Sequence, residues 1–243
     1  MKPVRDFEKQ LDNLELEATV IANYVYAEMS IHHAASKSRK LLSVLNRAPN
    51  FWRTCYAAFQ SSAYIALGRV FDLKSPFNIE ELITSMESDL SVFSTKALSS
   101  RKYSAGLKDP AKLREYVSEA YVPTAKDIQR IRRAVQRRRL VYERAFMHVR
   151  HRYLAHRQAH GSTNVQGLYS KGKVKEMWQL SCFLHHLYIQ LWQLYHNGRK
   201  PDLRVKSRYS PKIIYDKPGS SSEPHERAVR DVRTVMKILE SAP

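Results

Sequence analysis

Phe7, Leu11, Leu14, Ala18, Ile21, Val25 and Met29 recur at spacings of three and four, with no glycine between them. Such spacing lines apolar side chains along one face of an α-helix and is incompatible with the two-residue alternation of a strand. The same period returns in four further long stretches. The chain has only 7 glycines, and its 10 prolines fall mainly between the periodic stretches. Helices joined by short connections are therefore expected, and the fold class is all-α.

Taken in order, the periodicity predicts one long helix from about Val4 to Ser36, ending in His32 and His33. Adjacent histidines point about 100° apart on a helix, so a shared metal ion is not expected. A short basic helix follows to Asn46. Ala48-Pro49-Asn50 breaks it, with Asn50 as the expected N-cap of FWRTCYAAFQSSAYIALGRVFD. That segment is apolar nearly all round and reads as a central helix. Asn78 is placed to cap IEELITSM, and Asp109-Pro110 to open AKLREYVSEAYV. Between these two, Ser91 to Gly106 reads as a short irregular helix and a loop. Residues 73–122 as a whole read as an insertion within a helical domain of residues 1–198.

A second long helix is predicted from Thr124 towards Arg157, and its character is different. Ile128, Ile131, Val135, Tyr142, Phe146 and Val149 carry the apolar period, interrupted near Arg138 and Arg139. The other faces hold Arg130, Arg132, Arg133, Arg137 and Arg144. Like charges at helical spacing repel one another, so this run points to an anionic partner, with a plain solvated face as the alternative. The whole chain points the same way, with a net charge of +18 and a pI near 9.9. A field of that sign attracts polyanions, nucleic acid first. A membrane surface is the rival, but the basic faces lack the adjoining bulky apolar face that role needs. No stretch is long and apolar enough to span a bilayer. The opening residues lack the apolar core of a signal peptide, so a cytoplasmic location is expected. Cys55 and Cys182 have no metal-ligand spacing and read as buried free thiols.

Gln158 to Gly172 has loop composition, with three glycines. The next helix, VKEMWQLSCFLHHLYIQLWQLYHNG, places His185 and His186 at a packed or dimer surface and stops at Gly198. From Arg199 to Glu223 no helical period survives. An extended arm is expected there, with a short strand at Lys212 to Tyr215. Pro224 then opens a last helix whose stripe is Ala228, Val232, Val235 and Leu239. Arm and helix together make a C-terminal extension over residues 199–243.

The chemistry-bearing stretch is RHRYLAH, residues 150–156. No phosphate-binding loop, dinucleotide fingerprint, nucleophile elbow or HExxH occurs in the chain, and its carboxylates are scattered. A nuclease built from these residues would work without metal. Cleaving RNA that way requires a base for the 2′-hydroxyl, an acid for the leaving 5′-oxygen, and positive charge at the phosphate. Histidine suits the proton transfers, and arginine suits the phosphate. On an ideal helix Arg152 and His156 share a face, while Arg150 points elsewhere unless the helix ends or bends. Any Arg/His-rich helix produces this spacing, so a plain basic surface accounts for the composition as well.

RHRYLAH resembles the R-x5-H form of the HEPN-domain signature, in which an arginine is followed by a polar residue and the motif closes on histidine. Here these are Arg150, His151 and His156. The upstream apolar stretch ending ALGRVFD resembles the second helix of the abortive-infection U-type branch, which tends to end in Arg-x-x-Asp. The resemblance covers about Val4 to Asn197. It implies a HEPN-like helical bundle that forms a homodimer, with two motifs facing each other in one composite ribonuclease site. It further implies RNA as substrate, no cofactor, a cyclic phosphate product, and a role as a toxin or phage-defence effector, with an antitoxin protein as a possible partner. Arg150 and His156 would be catalytic and His151 would orient or assist. Arg132, Arg133, Arg137, Arg138, Arg144, Arg152 and Arg157 would bind the nucleic acid. The alternative is a non-catalytic HEPN-like module that binds RNA or protein.

Overall fold

The computed structural model describes residues 2–149, 174–205 and 210–241, and all regular structure among them is helical. The first long period becomes helix α1, Lys2–Lys37. Helix α2, Arg39–Asn46, follows at once because the Ser38 side chain accepts from the Leu41 amide. Helix α3, Pro49–Phe71, opens on the proline itself, whose missing N–H costs nothing in a first turn. Asn50 therefore lies inside the helix instead of capping it. Helix α4, Ile79–Ser88, is capped as expected, with the Asn78 side chain accepting from the amides of Glu80 and Glu81. The short helix expected within Ser91 to Gly106 is α5, Thr95–Ser104, preceded by a 3-10 turn, Leu90–Phe93. The Ser94 hydroxyl, accepting from the Ala97 amide, gives α5 a regular start. Asp109 caps helix α6, Pro110–Ser118.

The basic helix is interrupted at Phe146 within its expected span. Helix α7, Ala125–Ala145, gives way to a turn at Phe146 and then to helix α8, of which Met147–Val149 are described. Helix α9, Val174–Asn197, stops at Gly198, which takes a left-handed φ of 58°. Helix α10, Pro211–Asp216, occupies the place where a strand was expected. Its proline pre-sets a helical φ at the first turn, which outweighs the β-branched pair Ile213-Ile214. Helix α11 is Pro224–Ser241.

The chain divides into two compact units. One comprises Met1–Leu16, Arg69–Leu140 and Phe183–Arg204. Phe7 is fully buried there, 5.1 Å from the Phe93 ring and 5.0 Å from Tyr195. The Arg101 guanidinium lies over Tyr195 at 3.9 Å and donates to the carbonyls of Val92 and Tyr195. Leu82, Ile83, Met86, Val92, Phe93 and Leu98 are all buried. The middle of the chain thus supplies this core, because its short helices bring large apolar residues to one side.

The other unit comprises the described residues of Glu17–Gly68, Val141–Cys182 and Val205–Pro243. The Tyr26 hydroxyl lies 3.2 Å from the Cys182 sulfur and accepts from Trp178 Nε1 at 3.3 Å. Burial pushes the Cys182 thiol up to about 11. Cys55 is free as well but only half-buried. Ile31, Ala34, Leu41, Leu45 and Met236 form a closed apolar cluster, with Trp52, Tyr56 and Phe59 packed against it. The first half of α3 is therefore one-sided, and Phe51 is 60% exposed, contrary to a helix surrounded by core. On α11 the buried positions are His225, Val229 and Met236, while Val235 is exposed. Val232 and Leu239 of the expected stripe pack against the apolar cluster, while Val229 and Met236 are buried where Ala228 and Val235 were expected. Asp216 fastens α10 to α1, accepting from Lys37 Nζ at 2.6 Å and lying 3.1 Å from His33 Nε2. No helix among the described residues is long and apolar enough to cross a membrane.

Candidate nucleic-acid interface

Along α7 the apolar positions Ile128, Ile131 and Val135 are buried. That burial orients the arginines, and their surroundings differ sharply. Arg132 sits beside α4, donating to Glu87 at 2.8 Å and pairing with Glu80 as well. Arg138 is half-buried, its guanidinium 5.4 Å from the Phe183 ring centre. Its flat cation covers an aromatic face, which accounts for the break in the apolar stripe. Arg144 is exposed and donates to Glu176 at 2.6 Å. Arg133 and Arg137 are exposed, and so is Arg130, 3.7 Å from the Asp127 carboxylate. Arg130, Arg133 and Arg137 stand at i, i+3 and i+7, so they share a face about 10 Å long. Arg150, His151, Arg152, His156 and Arg157, with the loop expected at 158–172, lie outside the described residues.

His185 and His186 are buried. His186 Nε2 lies 2.6 Å from the Asp202 carbonyl, which can only accept, so this nitrogen carries the proton. Near the end of α1, His33 is nearly buried against Asp216, while His32 is exposed.

A polar group that the periodicity did not single out is buried on α1. Glu28 has only 1% of its side chain exposed. Its Oε1 accepts from Gln60 Nε2 at 2.6 Å, and among the described residues its Oε2 has no hydrogen-bond partner. One turn on, His32 stacks against Tyr56 with ring centres 4.6 Å apart. The signal was present. Position 28 continues the alternation 7, 11, 14, 18, 21, 25, so a polar residue occupies an apolar place, whereas His32 is exposed. Burial raises the Glu28 carboxyl above its ordinary range, only partly offset by Gln60. Burial also lowers His32 and raises Tyr56, the latter with help from the Glu28 charge.

A raised folded-state value means that Glu28 supports the fold fully below its unfolded pKa. That support is lost as pH rises through the folded value. Glu28→Gln is therefore expected to raise the thermal midpoint at pH 8 and to leave it unchanged near pH 4. An unmatched buried acceptor costs about 1–3 kcal/mol, so the gain should be on the order of 5 °C. Equal gains at both pH values would contradict an ionised, ill-matched Glu28.

The model of the HEPN_AbiU2 family, described as AbiU2, matches residues 5–211. That span is most of the chain. The protein belongs to the AbiU2 family of HEPN domains. No curated protein and no solved structure matches it. The family match extends past Gly198 to the start of α10, further than the resemblance read from the sequence. Within this AbiU2 protein, α11 alone among the described helices lies wholly beyond the matched span.

Proposed function

We propose that this AbiU2-family protein is a metal-independent endoribonuclease of HEPN type, active as a homodimer, and a toxin or phage-defence effector. The observation that carries the reading is RHRYLAH at residues 150–156 within a chain whose HEPN membership is established over residues 5–211. In this proposal an imidazole, His156, transfers protons between the ribose 2′-hydroxyl, solvent and the leaving 5′-oxygen. The 2′-oxygen attacks the adjacent phosphorus as the bond to the 5′-oxygen breaks, leaving a 2′,3′-cyclic phosphate. Arg150 stabilises the charge that develops on the phosphate, and His151 orients the site. With an unperturbed pKa of about 6.5, histidine can both accept and donate near neutral pH. The exposed Arg133 and Arg137 would draw in the strand.

The test is direct. Purified protein incubated with total RNA and a chelator is expected to release fragments ending in a cyclic phosphate. Salt-sensitive RNA binding with no fragments at any pH would instead favour the non-catalytic module.

A further inference from the structure

A cleft of about 510 Å³ opens between the first turns of α7 and the segment that follows α9, within a single compact unit. Arg130, Lys200, Pro201, Asp202, Leu203 and Arg204 line it. Its walls are firmly held. The Tyr121 amide donates to the Gly198 carbonyl at 2.7 Å. The Asp202 amide donates to Gln190 Oε1 at 2.8 Å, and the Asp202 carbonyl accepts from His186. The backbone around Lys200 is thus tied on one side to the connection between α6 and α7 and on the other to α9.

The charges in the cleft are not balanced pair by pair. Asp202 is engaged by Arg204, which donates from its backbone amide, Nε and Nη2 at 3.0–3.2 Å. Asp127, the carboxylate nearest Arg130, already accepts from Tyr121 and from the Thr124 amide and hydroxyl. These donors hold it down at about 2, while burial and the same carboxylate push Tyr121 up to about 12. Arg130 is left with a long contact of 3.7 Å, its side chain 64% exposed. Lys200 is exposed and stands 5.2 Å from the Tyr121 ring centre. Two cations therefore face the opening with weak local compensation. Arg130 is also the first of the exposed row that continues through Arg133 and Arg137. A single bound phosphate would use only the cleft, whereas cleft and row together form a continuous basic track.

We propose that this cleft binds phosphodiester groups of an RNA strand, with Arg130 and Lys200 as its anchors and the α7 row as its continuation. None of residues 150–156 is among its lining residues, and the choice of RNA rests on the function proposed above. A fluorescent 2′-O-methyl RNA oligonucleotide tests it, since the blocked 2′-hydroxyl prevents cleavage during the measurement. Arg130→Ala/Lys200→Ala is expected to weaken binding about tenfold. Its log-affinity against log-salt plot should flatten by about 1.4, the contribution of two single-strand phosphate contacts. Lys200→Arg should bind as wild type, and circular dichroism should show all variants folded. Unchanged affinity and slope in the double variant would overturn the cleft assignment while leaving cleavage of natural RNA by the wild type intact. Pyrophosphate that binds wild type through Arg130 and Lys200 without displacing the oligonucleotide would overturn the strand in favour of a free phosphate. Wild type that neither binds the oligonucleotide nor cuts RNA would sink the ribonuclease reading together with this one.

Discussion

His156→Ala is expected to lose RNA cleavage by about 10²–10⁴-fold, the range supplied by a positioned proton-transfer group. The substitution removes an imidazole and leaves the charge of the surrounding arginines almost unchanged. Binding of an uncleavable RNA should therefore stay within about twofold, since affinity of this kind follows phosphate contacts. Arg150→Ala should fall by about 10²–10³-fold, as loss of one charge-stabilising donor does elsewhere. Arg150→Lys should recover little, because a point charge does not replace the planar fork at a phosphate. Single-turnover cleavage with sedimentation of each variant separates chemistry from assembly. Wild-type cleavage by His156→Ala would remove the motif from the mechanism.

The second large effect concerns stability. Gly198→Ala is expected to lower the thermal midpoint by on the order of 10 °C. Two costs add there. The φ of 58° lies in the left-handed region, where a side chain costs about 1–2 kcal/mol. A Cβ would also stand 2.7 Å from the Ala120 Cβ and 2.8 Å from Leu98 Cδ2. Overpacking of that kind costs about 1–3 kcal/mol. Gly106 separates the two contributions. Its φ is 106°, but a Cβ there meets nothing within 4 Å. Gly106→Ala should therefore show the smaller fall. Ala120→Gly combined with Gly198→Ala should recover part of the loss, a coupling that a thermodynamic cycle measures. Equal falls at Gly106 and Gly198 would show that the close approach to Ala120 has no energetic weight. Because Gly198 directly precedes the Lys200 segment, Gly198→Ala is also expected to weaken binding at the cleft.

Local physics explains most of what could be read along the chain. The spacing from Phe7 to Val25 is enough to identify α1 and its buried face. Asn78 and Asp109 could be identified as caps because a cap satisfies amides two and three residues away. Gly198 could be identified as a stop because glycine readily takes the left-handed conformation. The HEPN resemblance, carried by residues 150–156 and the upstream apolar helix, was legible for the same reason, as a short pattern of residue types.

Tertiary structure decided everything that depends on distant partners. Seven arginines looked alike as an interface. Of those described, Arg132 finds Glu80 and Glu87, Arg138 finds Phe183, Arg144 finds Glu176, and Arg133 and Arg137 face solvent. No spacing along α7 distinguishes these fates, because each partner lies on another helix. The burial of Val229 and Met236 on α11 has the same origin. Ala228 and Val235 satisfy the period as well as Val229 and Met236 do, and the face that meets Leu41 and Leu45 selects the larger side chain. Glu28 is buried because its helix face continues inward past Val25, whatever residue occupies the position. The cleft at Lys200 is likewise invisible in sequence, since folding alone brings residues about 70 positions apart to one opening.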